Sequence, residues 1–225
     1  VTRELPILFS PQMIRALPPR GPKSQTRRTR GLGEINKEPD DWTVESTDAE
    51  AAILLNRVTG ELRTIRCPYG PAGTRLWVKE GWRPESCWVP RCTDCGGITV
   101  TYLADKATRD IRYEQIPDEW TIPQAARRGG VTALFMPRWV SRYIFINAGW
   151  RIERVQEITE ADCLCEGLIR NPDGWWQSVV FPPVERLSGI AVYQELWDHL
   201  NGKKLHWSRN GWVWVIGFEP EGGAK

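Results

Sequence analysis

The sequence predicts a mixed α+β fold: a partly open β-barrel with short flanking helices and inserted loops. Three observations predict it. β-Prone runs recur along the chain, at residues 75–82 (RLWVKEGW), 98–104 (ITVTYLA), 139–157 and 211–219 (GWVWVIGFE). Helical signals are confined to a few short segments. The two kinds of element do not alternate in βαβ order, which argues against a doubly wound parallel sheet.

In chain order, Pro6-Ile7-Leu8-Phe9 is a short apolar run, and Pro11 opens a helical turn through Ile14 and Leu17 that Pro18-Pro19 stops. Residues 31–66, with GEINKEPDDW and ESTDAE, read as an exposed excursion. Residues 83–97 carry proline, glycine and three cysteines, and 107–137 is mixed and loop-rich. The run 139–157 reads as two strands broken near Asn147-Ala148-Gly149. Thr159 is an N-cap, with Glu160 and Asp162 in the first turn of the short helix EADCLCEGL. Residues 170–187 hold Asn-Pro-Asp-Gly and Pro-Pro and read as a second excursion. GIAVYQELWDHLNG is an amphipathic helix ended by Asn201-Gly202, and WVWVIGFE closes the chain as a central strand. There is no internal repeat.

The 225 residues suit a single domain with insertions at about 31–66, 83–136 and 169–210. Lys plus Arg number 30 against 28 for Asp plus Glu, so no global cationic field draws the protein to nucleic acid. No apolar run approaches the roughly 18–20 residues of a membrane span. The first residues, VTRELPILFSPQ, lack the marks of a secretory signal, so the expected location is cytoplasmic and no membrane partner is expected. The six cysteines therefore read as thiols or metal ligands before disulfides. His199 and His206 are the only histidines, which argues against a His-rich metal site or a Ser-His-Asp triad. Thirteen tryptophans exceed what a core of this size needs, and some are expected to line a cleft.

Residues 18–31, PPRGPKSQTRRTRG, gather Arg20, Lys23, Arg27, Arg28 and Arg30. A charge run of this kind reads first as a solvated basic loop or a grip on phosphates. By position, however, it contains Gly21-x-Lys23-x-x-Thr26-x-Arg28 just after a proline-broken helical turn. This resembles the signature of the ASCH domain, a branch of the PUA-like β-barrels, whose pattern is G-x-K-x-x-[E or T]-x-R. GTRLWVKEGW is similar to a barrel strand of that family, with Thr74 where the family has Asp. ITEADCLCEG is similar to the helix after its long central strand, with Glu160 and Glu166 keeping the family's interval of six. The succession CPYG, LWVKE, MPRW, ITEAD and WVWVI is similar to ASCH-type proteins carried by phages.

The resemblance implies a function. Glu at the sixth motif position is associated with RNA binding. Thr, as at Thr26, implies a small amidohydrolase that removes acyl groups from N4 of cytidine, needing no cofactor and acting on a modified cytidine nucleoside. Its catalytic residues map to Lys23, Thr26 and Glu166. The alternatives are a non-catalytic module binding RNA or other nucleic acid, an RNase, or a phage accessory protein that holds a host partner through its tryptophans.

The residue types suit amide hydrolysis, which needs a nucleophile, a base and a holder for the oxyanion. A lysine serves as base only if its pKa falls from about 10.4 toward neutrality, and burial with Arg20 and Arg28 nearby would lower it. Glu166 could orient Lys23, pass a proton to the leaving amine or place a water. Arg28 is a candidate to polarise a carbonyl or recognise the base. Trp77 or Trp82 could stack on the pyrimidine, with Glu80 between them as a further substrate contact. Strand geometry sets a constraint: residues 23 and 26 converge only if the chain bends, whereas Thr26 and Arg28 share a face. On a helical wheel, Ala161, Leu164 and Leu168 form an apolar stripe and Glu166 falls on the opposite, wet side.

Cys92-x-x-Cys95-Gly-Gly resembles half of a zinc knuckle, with Cys87 and Cys67 as further thiols for a structural zinc. The zinc would pin the 83–97 excursion to the barrel. The alternative is a loop of reduced cysteines.

Overall fold

The computed structural model describes residues 3–85, 96–178 and 185–222, and it is a mixed α+β structure rich in strands. The chain runs β1 (Glu4–Leu8), α1 (Pro11–Ala16), β2 (Gln25–Arg28), β3 (Trp42–Thr47), β4 (Ala51–Asn56), β5 (Leu62–Arg66) and β6 (Arg75–Lys79). It continues with β7 (Trp82–Glu85), β8 (Gly97–Tyr102), β9 (Thr108–Arg112), β10 (Ile144–Arg154) and α2 (Glu160–Cys165). The last elements are β11 (Ile169–Arg170), β12 (Trp176–Gln177), β13 (Glu185–Arg186), α3 (Gly189–Asn201) and β14 (Trp212–Pro220). The described strands form four sheets, ordered β1-β6-β10-β14-β2, β3-β4-β5, β7-β8-β9 and β11-β12-β13, and none of them closes on itself. No described helix is long and apolar enough to cross a membrane.

The chain divides into two units. The first comprises Val1–Leu5, Ala16–Leu76 and Phe145–Lys225, and the second Pro6–Arg15 and Trp77–Ile144.

In the first unit β14 lies between β10 and β2 and is antiparallel to both. Its residues Trp212 to Ile216 are all buried, which is why it reads as an unbroken apolar run and not as an alternation. The two strands expected over 139–157 are one strand, β10, with a register shift between Asn147 and Gly149. The cause is local. The buried Asn147 amide donates to the carbonyls of Tyr69 and Gly70 at 3.1 and 2.9 Å, and its oxygen accepts from Gly149 N at 2.8 Å. Gly149 adopts φ +125°, which glycine allows at little cost, so the chain bulges and continues.

Residues 31–66, expected as an exposed excursion, instead carry the antiparallel sheet β3-β4-β5. Leu32, Ile35, Trp42, Ala51, Ala52 and Leu54 are buried beneath it. The polar texture reflects the solvated positions of β3 and β5, so composition alone hid the strands.

The N-cap read from sequence at Thr159 is present. Thr159 accepts from Asp162 N while the Asp162 carboxylate accepts from Thr159 N, a reciprocal box that starts α2. Ser188 accepts from Ala191 N to start α3, whose buried stripe is Val192, Tyr193, Leu196 and Trp197.

The second unit is organised on β7-β8-β9. Trp82, Val100, Tyr102, Ile111, Val131, Met136 and Val140 form its core, and Trp82 exchanges both backbone hydrogen bonds with Val131. Fully burying each aliphatic side chain of this kind contributes about 1.5–3 kcal/mol.

A buried lysine–arginine–carboxylate cluster

The most charged interior in the first unit starts from backbone placement. Lys23 N donates to Ala16 O at 3.0 Å and Ser24 N to Cys165 O at 2.9 Å. These bonds pin the segment before β2 between the ends of α1 and α2. Two glycines make the approach possible. A Cβ on Gly21 would run into the Ala16 carbonyl, and one on Gly167 would lie 3.0 Å from Ala16 Cβ and 3.2 Å from Lys23 Cβ. Gly167 also takes φ +97° as the chain leaves α2, a conformation other residues adopt only with strain.

From that anchor, Lys23, Gln25 and Arg27 follow at intervals of two and turn their side chains to the same partners. Lys23 Nζ donates to Glu166 Oε2 at 2.8 Å and to the Glu166 carbonyl at 2.9 Å. Gln25 Nε2 donates to Asp162 Oδ1 at 3.1 Å. Arg27 reaches three carboxylates: Nη1 lies 3.3 Å from Glu166 Oε1, and Nη2 lies 2.6 Å from Glu153 Oε1 and 3.3 Å from Asp162 Oδ2. Arg151 closes the rim with bonds to Glu153 Oε2 at 2.7 Å and Asp162 Oδ1 at 2.9 Å. The Arg27 guanidinium carbon also stands 5.7 Å from the centroid of the buried Tyr193 ring. Lys23, Arg27 and Arg151 thus balance Glu153, Asp162 and Glu166. Such burial is tolerable because each charge meets an opposite charge in hydrogen-bonding geometry.

The cluster is electrostatically tuned. Burial lowers the Lys23 pKa, outweighing the attraction and hydrogen bond of Glu166, and Arg28 and Arg27 push it down further. Burial opposes the charge of Arg27 as well, but Tyr193, Glu166 and Glu153 together raise its pKa above the ordinary value. Burial would raise Asp162, yet the Thr159 N–H, Gln25, the Thr159 hydroxyl and Arg151 hold it well below the usual carboxylate range. Burial raises the phenol of Tyr193 and pushes the Cys163 thiol up to about 12.

α2 works as a rack of carboxylates. Besides Asp162 and Glu166, its Glu160 accepts from Gly189 N at 3.0 Å and the Ser188 hydroxyl at 3.1 Å, so it caps the positive end of α3. The helical wheel had placed Glu166 on a wet face. The structure inverts this: Glu166 is 3 % exposed and Leu164 is 41 % exposed. Glu166 keeps helical backbone angles and bonds to the Asp162 carbonyl, so the periodicity holds; it is the face carrying Asp162, Cys163 and Glu166 that α2 turns inward, toward Lys23 and Arg27.

The other expected site residues are placed as follows. Thr26 is buried on β2 opposite Ile216, and Arg28 lies opposite Trp214; strand alternation turns both away from the row that meets Glu166. The residue that alternation brings to Glu166 beside Lys23 is Arg27. Trp77, Glu80 and Trp82 belong to the second unit. There Arg142 grips both oxygens of Glu80, Trp82 is wholly buried against Trp120 with centroids 6.4 Å apart, and Lys79 Nζ stands 5.4 Å from the Trp77 ring centroid. Cys67 is buried and burial pushes its thiol up to about 11. Cys87, Cys92 and Cys95 lie outside the described residues. Among the described residues, no three His, Cys, Asp or Glu side chains are grouped to hold a metal.

Sequence reasoning missed Arg27, Glu153, Asp162 and Tyr193 as members of this cluster. A signal for Arg27 was present, because a strand that turns Lys23 inward turns residues 25 and 27 inward too. Tyr193 had none beyond its place on the apolar stripe of α3. Chemically, the cluster holds one amine of reduced basicity against a carboxylate, fixed by a permanent guanidinium charge. Such a pair can take up a proton and return it. No protein-family model, no curated protein and no solved structure matches this chain.

Proposed function

We propose that this chain is an ASCH-type protein of the PUA-like class that hydrolyses the acyl group from N4 of acylated cytidine nucleosides. Lys23 and Glu166 are its proton-transfer pair. The observation that carries the reading is the wholly buried Lys23, lowered in basicity and hydrogen-bonded to the carboxylate that the motif resemblance pairs with it.

In this reading Lys23, once it has lost its proton, accepts one from water as the water oxygen attacks the acyl carbon. The resulting ammonium, held by Glu166, returns the proton to the exocyclic nitrogen as the carbon–nitrogen bond breaks. Cytidine and a carboxylic acid leave. Water is the nucleophile because Thr26 lies on the opposite face of β2.

One observation favours a second reading. Lys23 is wholly enclosed while Arg20 and Arg30 are exposed, which suits a non-catalytic RNA-binding ASCH module with a structural cluster beneath it. Incubation with N4-acetylcytidine, followed by ultraviolet absorbance, separates the two. Hydrolysis by the wild type, lost in Lys23→Ala and kept in Thr26→Ala, is the expected result. An inert wild type that retains single-stranded RNA, with a steep loss of binding as salt rises, supports the second reading instead.

A further inference from the structure

We infer that Arg27 is the positioning residue of this cluster, holding Glu166 so that one carboxylate oxygen faces Lys23. The inference rests on Lys23 and Glu166 being the proton-transfer pair, not on which substrate they serve.

Glu166 divides its oxygens: Oε2 goes to Lys23 at 2.8 Å and Oε1 to Arg27 at 3.3 Å. Arg27 is itself held from three directions, by Glu153 on β10, by Asp162 on α2 and by the Tyr193 ring on α3. Its side chain is wholly buried, so its position is set by these partners. A guanidinium does not release its proton in a protein, so Arg27 is a fixed charge beside an amine that titrates.

The groups around Lys23 are Glu166 at the end of α2 and Arg27 and Arg28 on β2. Behind them stand Glu153 and Arg151 on β10, Asp162 and Cys163 on α2, and Tyr193 on α3. Cys163 and Tyr193 keep their protons well past neutrality, so they do not titrate in competition with Lys23. Removing the Arg27 charge would relieve repulsion on the Lys23 ammonium and leave Glu166 with Lys23 as its remaining cation. Both changes favour the charged amine.

The experiment is a nuclear magnetic resonance titration of the protein carrying 13C-labelled lysine, with the Lys23 signal assigned by its loss in Lys23→Met. Arg27→Met is expected to raise the Lys23 titration, with less neutral amine at a fixed pH. Arg27→Lys is expected to stay near the wild type, a rescue that a packing role alone would not produce. The pH–rate profile on N4-acetylcytidine should move to higher pH by the same amount. A folded Arg27→Met whose Lys23 titrates as in the wild type would overturn the inference. Should Arg27→Met not fold, Glu153→Gln removes the nearest anion from Arg27 and is expected to lower the Lys23 titration; no movement there overturns it equally. If the wild type is inert on acylated cytidines while these titrations shift as described, the proposed substrate falls and the role of Arg27 stands.

Discussion

Each of the two units of this chain sets an arginine among carboxylates, and the two clusters differ in what stands beside it. In the second unit Arg142 meets both oxygens of Glu80 at 2.7 and 2.8 Å and Asp105 at 3.0 Å. It also lies over the rings of Tyr102 and Tyr143, at 4.0 and 4.8 Å from their centroids. Burial opposes its charge, but Glu80 and Asp105 hold the guanidinium protonated beyond any accessible pH. Such a cluster fixes geometry and cannot exchange a proton. In the first unit a lysine stands beside the arginine, and burial has lowered its pKa. The difference that bears on the proposal is the lysine: a guanidinium keeps its proton, whereas a buried amine of lowered basicity is able to titrate.

The largest expected effect tests that separation on activity. Lys23→Ala should cut hydrolysis of N4-acetylcytidine by about a hundredfold or more, as loss of a general base does. If the proposed activity holds, Arg142→Met should leave the rate constant of the folded protein near the wild type. Equal losses of rate in both variants would erase the distinction.

Stability should show the reverse emphasis. Arg142→Met removes the guanidinium that Glu80 and Asp105 share and is expected to cost about 3–5 kcal/mol in urea unfolding. A smaller cost is expected for Gly167→Ala, about 1–3 kcal/mol, from the positive φ and the approach to Lys23 Cβ. That variant should also disturb the Lys23 titration, which Arg142→Met should not.

The pH dependence of stability sharpens the comparison further. The folded pKa of Lys23 is below its unfolded value, so between the two the unfolded chain binds more protons. Stability therefore rises with pH across that alkaline window. Asp162 is also depressed in the folded state, so its contribution is present above the ordinary carboxylate value and is lost as pH falls below it. Lys23→Met should flatten the alkaline rise and Asp162→Asn the acid loss, both read from urea midpoints across pH. Arg142→Met should leave the alkaline rise as it is and act only on the acid limb, through the carboxylates of Glu80 and Asp105. The smallest effect concerns Cys163, whose thiol, near 12 in the folded chain, should resist alkylation at pH 8 until urea exposes it.

Much of this was legible in the sequence, for identifiable reasons. The mixed α+β class, the interior strand β14, the capped helix α2 and the amphipathic helix α3 follow from local pattern: an unbroken apolar run, Thr159 with Asp162, and an apolar stripe ended by Asn201-Gly202. The sheet at residues 42–66 escaped because its solvated positions lend the whole segment a polar texture. The family resemblance paired Lys23 with Glu166, but which face of α2 turns inward is set by buried charge partners on β2, which a helical wheel of apolar residues does not encode. Arg27 was obscured by the motif itself, which leaves its position open between Thr26 and Arg28. Glu153 and Asp162 join the cluster through strand register and helix docking, both long-range facts that no local window contains.

The central claim is that the first cluster moves a proton through Lys23. It is tested most directly by measuring the rate of N4-acetylcytidine hydrolysis against pH beside the magnetic-resonance titration of Lys23 in the same protein. The account predicts a rate that rises through one ionisation at the pH where Lys23 becomes neutral. Absent turnover, or a rate that ignores the Lys23 titration, would contradict it.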